Sequence, residues 1–213
     1  MPEGNRFFTQ LRCRPVGLAG AFTAGFTLVE LLVVIAIGAI LAAIAVPSLR
    51  NLVAANQLAA ATDTLAAALY EARSEAGKLG VPVALAATGG NWNLGWTSFV
   101  DTDGDGILQT GQGSPPEVLL RTGGALPASL TMNSKGAAAA AFANVFWFDP
   151  SGRLLTKGPP AATAEFLFCQ GGGPANGGAA RMITISASGR VRTAKNNSSG
   201  VPLDDGGIQV PCS

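Results

Sequence analysis

Gly25-Phe26-Thr27-Leu28-Val29-Glu30 opens an apolar run that reaches Val46 with no further charge and stops against Pro47; residues 26–46 read FTLVELLVVIAIGAILAAIAV. As a helix rising about 1.5 Å per residue, about 21 residues span roughly 30 Å of hydrocarbon, which predicts a membrane anchor. Arg6, Arg12 and Arg14 precede it, so the positive-inside rule keeps the N-terminus cytoplasmic and sends the chain after Val46 outward. An ordinary secretory signal has an apolar core of only about 7 to 15 residues before a small-x-small cleavage site, and this run is too long for that. Glu30 is the residue a plain anchor would not carry. At mid-bilayer it costs about 2.5–3.5 kcal/mol on insertion scales, so it needs a compensating role.

Outward from the anchor, the chain of 213 residues leaves room for one modest extracytoplasmic domain. Hydrophobic residues make up 48% and charged residues 13%, the balance of a membrane-tethered protein. With 14 Lys+Arg against 13 Asp+Glu, any attraction for an anionic partner has to come from a local patch. There is no histidine. That removes Ser-His-Asp and Cys-His catalysis, HExxH metalloproteases and imidazole-rich zinc sites. No nucleophile-base pair, metal set or phosphate loop is evident, so no enzymatic activity and no cofactor are expected.

Beyond Pro47, Leu58, Ala61, Thr62, Leu65, Leu69, Ala72 and Ala76 recur at three- and four-residue spacing, which predicts an amphipathic helix to about Gly77. Pro47 lacks an amide proton and clashes with the preceding turn, which predicts a kink there. From Val81 the character changes to short β-rich runs punctuated by Gly, Pro, Asn and Asp. Strands are predicted at Val81–Ala87, Gly95–Asp101, Glu117–Arg121, Ser129–Met132, Asn144–Asp149, Arg153–Thr156, Glu165–Cys169, Arg181–Ala187 and Arg190–Ala194. The expected fold is α+β: a long N-terminal helix, half membrane-spanning and half amphipathic, packed on antiparallel β-sheets. A short internal echo, FDPSGRL at 148–154 and SASGRV at 186–191, reads twice as strand, Ser-Gly turn and strand beginning with Arg. Gly171–Gly178 and Lys195–Gly207 read as mobile loops. The run Gly136–Ala141 has no assignment.

Three groups of residues are candidates for chemistry. Asp101, Asp103 and Asp105, in the string DTDGDG, match the opening of a calcium loop. The twelfth loop position is Gln112 instead of a bidentate Glu, and Asp and Gly are also the preferred residues of a strand-joining turn, which is the favoured reading. Trp92, Trp96, Phe146 and Trp147 could stack bases but fit strand packing better. Arg181, Arg190, Arg192 and Lys195 form a local positive stretch without Asp or Glu. Strand alternation puts Arg190 and Arg192 on one face, within reach of neighbouring phosphates, and Gly189 permits a turn that brings backbone amides close. A solvated edge strand carrying charges against aggregation would look similar.

The GFTLVE string ahead of an apolar helix and Pro47 resembles the N-terminal signal of type IV pilins and pseudopilins. The resemblance implies a leader, residues 1–25, removed by a prepilin peptidase between Gly25 and Phe26, with N-methylation of Phe26. It implies a docking role for Glu30, which would neutralise the terminal ammonium of a neighbouring subunit during assembly. Ala24 stands where the family usually has a basic residue, and the leader is longer than in many major pilins. The corresponding division is a transmembrane helix at 26–46, an amphipathic helix at 47–79 and a β-rich domain at 80–213. The order of parts, with a Gly-Trp strand running into the Asp/Gly turn and a late Gly189-Arg190-Val191-Arg192, is similar to the GspH/FimT group of minor pseudopilins. That GRxR stretch resembles the DNA-binding motif of FimT-type minor pilins. By this resemblance Arg190 and Arg192 would grip DNA phosphates during uptake for natural transformation, with Lys195 and Arg181 supporting them from charge alone. The alternative is a GspH-like pseudopilin of a type II secretion system that makes only protein contacts. With Cys13 in the leader, Cys169 and Cys212 remain as an even pair in an exported domain. A disulfide between them is expected, two unpaired thiols being the other possibility.

Overall fold

The computed structural model of the chain describes residues 25–111, 113, 115–135, 144–155, 163–174 and 178–212. The leader before Gly25, Gln112 and the unassigned run Gly136–Ala141 lie outside them. One α-helix, α1, runs from Leu28 to Leu79 and includes Pro47, the helical assignment continuing on both sides of the proline. The chain divides into two compact units between Ile44 and Ala45. The first holds the N-terminal part of α1, the one helix among the described residues long and apolar enough to cross a membrane. Its large apolar side chains, from Leu28 to Ile44, are exposed, as a lipid-facing surface requires.

In the second unit α1 buries Leu58, Thr62, Leu65, Ala68, Leu69, Ala72 and Ala76, the stripe expected from spacing with Ala68 added and Ala61 only half-buried at its edge. Thr62 survives burial because its hydroxyl donates to the Leu58 carbonyl at 2.7 Å.

All nine predicted strands form, within a few residues of their expected ends: β1 Val83–Ala87, β2 Trp96–Val100, β3 Leu119–Gly123, β4 Leu130–Lys135, β5 Val145–Phe148, β6 Leu154–Leu155, β7 Thr163–Gln170, β8 Ala180–Ser186 and β9 Val191–Thr193. They make a five-stranded sheet in the order β3-β2-β1-β5-β6 and a four-stranded sheet in the order β4-β7-β8-β9. All the pairings are antiparallel. Val83, Leu85, Phe146 and Phe148 from the first sheet join Met132, Phe166, Phe168, Ile183 and Ile185 from the second around the helix stripe in one core. Trp92, Trp96, Phe146 and Trp147 are all buried, the packing role expected of them. Trp92 meets Phe166 edge-on at 5.1 Å.

Each sheet also has an outer face, and each is covered by irregular chain. Over the first sheet, Leu108 of the Asp-rich loop packs on Ala84, Phe99 and Trp147. Over the second, Val210 and Cys212 pack on Leu167, Cys169, Ala180 and Met182. The tail that does this was expected to be a mobile loop over Lys195–Gly207. It is instead a chain of hydrogen-bonded turns with bridges Asn196 to Pro202 and Leu203 to Gln209, closed by the Cys169–Cys212 disulfide with Cα atoms 6.0 Å apart. The apolar outer face of β7 and β8 supplies the reason, since uncovered it would expose that cluster to water.

Candidate functional site

The two Ser-Gly turns noticed in the sequence have the same geometry, hydrogen bond for hydrogen bond. In the turn between β5 and β6, Asp149 N donates to the Arg153 carbonyl at 2.9 Å and Gly152 N to the Asp149 carbonyl at 2.8 Å. Between β8 and β9, Ser186 N donates to the Arg190 carbonyl at 3.0 Å and Gly189 N to the Ser186 carbonyl at 2.8 Å. The first side chain of each turn caps the arginine amide: Arg153 N reaches Asp149 Oδ1 at 2.9 Å and Arg190 N reaches Ser186 Oγ at 3.2 Å. Gly152 and Gly189 hold φ of +76° and +73°, the left-handed region that glycine enters most readily.

The turns also abut. A Cβ on Gly189 would be driven into the Gly152 carbonyl oxygen, and Leu154 N donates to the Ala187 carbonyl at 3.1 Å. Arg73 of α1 bridges them, its Nε donating to the Gly152 carbonyl at 3.0 Å and its Nη2 to the Ser188 carbonyl at 3.2 Å. One helical turn away, Tyr70 Oη donates to the Val191 carbonyl at 3.0 Å. A single stretch of helix thus positions both turns and the start of β9.

Against this frame the expected phosphate residues separate. Arg190 is exposed and its guanidinium has no hydrogen bond or ion pair among the described residues. Arg192 shares its face, as alternation predicts, but its guanidinium is occupied: Nε donates to Thr184 Oγ1 at 3.1 Å and Nη2 pairs with Asp205 of the tail. Arg192 ends a polar row across the outer face of the second sheet, Lys135 opposite Glu165, Glu165 opposite Thr184, Thr184 opposite Arg192. Burial, reinforced by the negative charge of Asp204, pushes the Glu165 carboxyl above the usual carboxylate range. The Gly189 amide, expected near a phosphate, is buried and spent inside its own turn. Lys195 is exposed on the tail. Arg181 is half-buried and alternates with Ile183 and Ile185, on the sheet face opposite Arg192, so the fold does not group it with the others. Arg73, Arg153 and Asp205 were not singled out in the sequence. Only Arg153 had left a signal, in the echo.

The Asp-rich loop closes on its own amides. Asp101 is buried and accepts Gly104 N at 2.8 Å, Gly106 N at 2.9 Å and the Trp147 indole N–H. Asp103 accepts Asp105 N, Asp105 accepts Ile107 N and the Gln109 side chain, and the buried Glu117 carboxylate accepts Gln109 N. Oxygens of Asp101, Asp103 and Asp105 lie within 4.8 Å of one another. That spacing would suit a hard cation, yet the bonds are those of a polar turn. At the start of α1, Glu30 N donates to Thr27 Oγ1 at 3.1 Å, an N-cap that fixes where the helix begins.

Residues 22–46 match the prokaryotic N-terminal methylation motif, and residues 61–189 match the family described as type II transport protein GspH. No curated protein matches the chain. Among solved structures, a Pseudomonas aeruginosa (strain PAO1) type IV minor pilin, FimU, in space group P21 is 26% identical, covering 74% of this chain and 96% of its own, with a TM-score of 0.49. The P65 crystal form is 24% identical, covering 72% and 98%, with a TM-score of 0.46. The GspH model alone takes in more than half of the chain, and with the methylation motif and single apolar span ahead of it the protein belongs to the GspH family of type IV pilin-like subunits, anchored in the inner membrane and assembled into a pilus or pseudopilus.

Proposed function

We propose that this subunit is cleaved between Gly25 and Phe26, methylated on Phe26, docked through Glu30, and then displays an extracytoplasmic domain that holds DNA by its phosphates during uptake for natural transformation. The observation that carries the nucleic-acid part is Arg190: an exposed guanidinium with no partner among the described residues, presented on a rigid turn of a nearly neutral protein. Phosphate contacts carry no sequence information, which suits a protein that must accept any incoming strand. Lys195 is a second exposed cation close in sequence.

A second reading rests on Arg192. Because Asp205 and Thr184 already hold its guanidinium, a domain that makes only protein contacts in a type II secretion pseudopilus is also served by this face. DNA binding by the detergent-solubilised chain across a salt series separates the two. With about two phosphate contacts, affinity should fall roughly tenfold between about 50 and 200 mM salt, and Arg190→Ala should remove about half of that dependence or somewhat more. A folded wild-type chain that ignores DNA at low salt would favour the secretion reading.

A further inference from the structure

We infer that the phosphate-binding surface is the pair of abutting Ser-Gly turns, with Arg153 as the second phosphate-contacting residue beside Arg190. The inference rests on the nucleic-acid reading above and deepens it. Arg153 and Arg190 occupy the same position in two copies of one turn, each directly after the glycine with positive φ. Each has its amide capped from the first residue of its turn, and both side chains are exposed. The turns meet backbone to backbone at Gly152 and Gly189, and Arg73 bonds a carbonyl of each. They therefore form one rigid edge carrying two arginines at equivalent positions, with a third cation behind them. A nucleic-acid backbone, which presents an anionic charge at every nucleotide, is the ligand such a repeated cation matches. Arg192, the partner expected from alternation, is already neutralised by Asp205.

The turns differ in one respect that makes the inference testable. The capping residue is a neutral hydroxyl, Ser186, in one and a carboxylate, Asp149, in the other. Burial pulls the Asp149 carboxyl upward, but hydrogen bonds from Ser151 and the Arg153 amide, with the Arg153 charge, hold it below the usual range. It is ionised at neutral pH and offsets part of the Arg153 charge, so Arg153 should contribute less than Arg190.

The experiment is a salt series of binding to a fluorescently labelled DNA duplex by the full chain in non-ionic detergent. The variants are Arg153→Ala, Arg190→Ala, their combination, and Asp149→Ser, which copies the cap of the other turn. Arg153→Ala should weaken binding about threefold and reduce the slope of log affinity against log salt by about one. Arg190→Ala should weaken it further, and the pair should leave no salt-sensitive binding. Asp149→Ser should tighten binding several-fold. Wild-type affinity and slope in both Arg153→Ala and Asp149→Ser, with Arg190→Ala impaired, would overturn the twin-turn site and leave the DNA reading standing. No binding by the wild type at low salt would overturn both.

Discussion

Gly152 and Gly189 share a turn type and a φ, yet a methyl group at each meets a different neighbour, so the same substitution should have unequal costs. At both, an L-residue in the left-handed region costs about 1–2 kcal/mol. At Gly152 the added Cβ would lie 2.8 Å from Arg73 Nε, a side chain that can make room only by giving up its bonds to the two turn carbonyls. At Gly189 it would strike the Gly152 carbonyl oxygen, which can yield only if the turns part. We predict a loss of about 2–3 kcal/mol for Gly152→Ala, the backbone cost plus the displaced Arg73 bonds, and a larger loss for Gly189→Ala, more than about 3 kcal/mol, in urea unfolding. Equal losses would mean that the abutment does not constrain Gly189. The glycine of the GRxR stretch is thus explained by packing between turns, a reason the local sequence does not contain.

At the scale of elements, the strands were legible because each is a short apolar or alternating run between turn residues, and those signals are local. The placement of the C-terminal tail was not. Its Gly, Asn and Ser content reads as loop, and nothing near Asp205 indicates that it will meet Arg192. That contact depends on the order β4-β7-β8-β9 and on a disulfide with a sequence separation of 43. Closing a loop of that length is worth up to about 4 kcal/mol in the chain-entropy picture, and about 2–4 kcal/mol is typical. Cys212→Ser should lower stability by that amount, and a reductant should reproduce the loss in the wild type. Since the tail carries Asp205, Asp205→Asn should release Arg192 and tighten DNA binding without disturbing the melt. Unchanged affinity would show that Arg192 does not face the ligand. Glu165 allows a pH test of the same face. Its folded pKa is raised, so the native state holds the proton more tightly than the unfolded chain. Its penalty is absent well below the unfolded value near 4.5 and accrues as pH rises through the folded value. Wild type should therefore lose stability relative to Glu165→Gln as pH rises from about 4 toward neutrality. A constant difference between the two melts would mean that Glu165 titrates normally.

For the whole molecule, a formal net charge of +1 leaves no long-range field to gather DNA or partner subunits. The proposed function would therefore rest on a few placed charges, the twin-turn arginines for DNA and Glu30 for assembly. Glu30 is the sole ionisable side chain between Phe26 and Val46, and in the isolated chain it is exposed along an apolar span. Unpaired in hydrocarbon it opposes insertion, by up to about 2.5–3.5 kcal/mol at mid-bilayer and by less this close to the end of the span. Paired with the Phe26 ammonium of a neighbouring subunit, it would turn that penalty into a preference for the assembled state. Glu30→Gln keeps the shape and removes the charge, so it separates assembly from folding. The variant should insert in the membrane, form the Cys169–Cys212 disulfide and melt like the wild type, while its incorporation into sheared filaments falls about tenfold or more. Wild-type incorporation of Glu30→Gln would rule out the intersubunit pair.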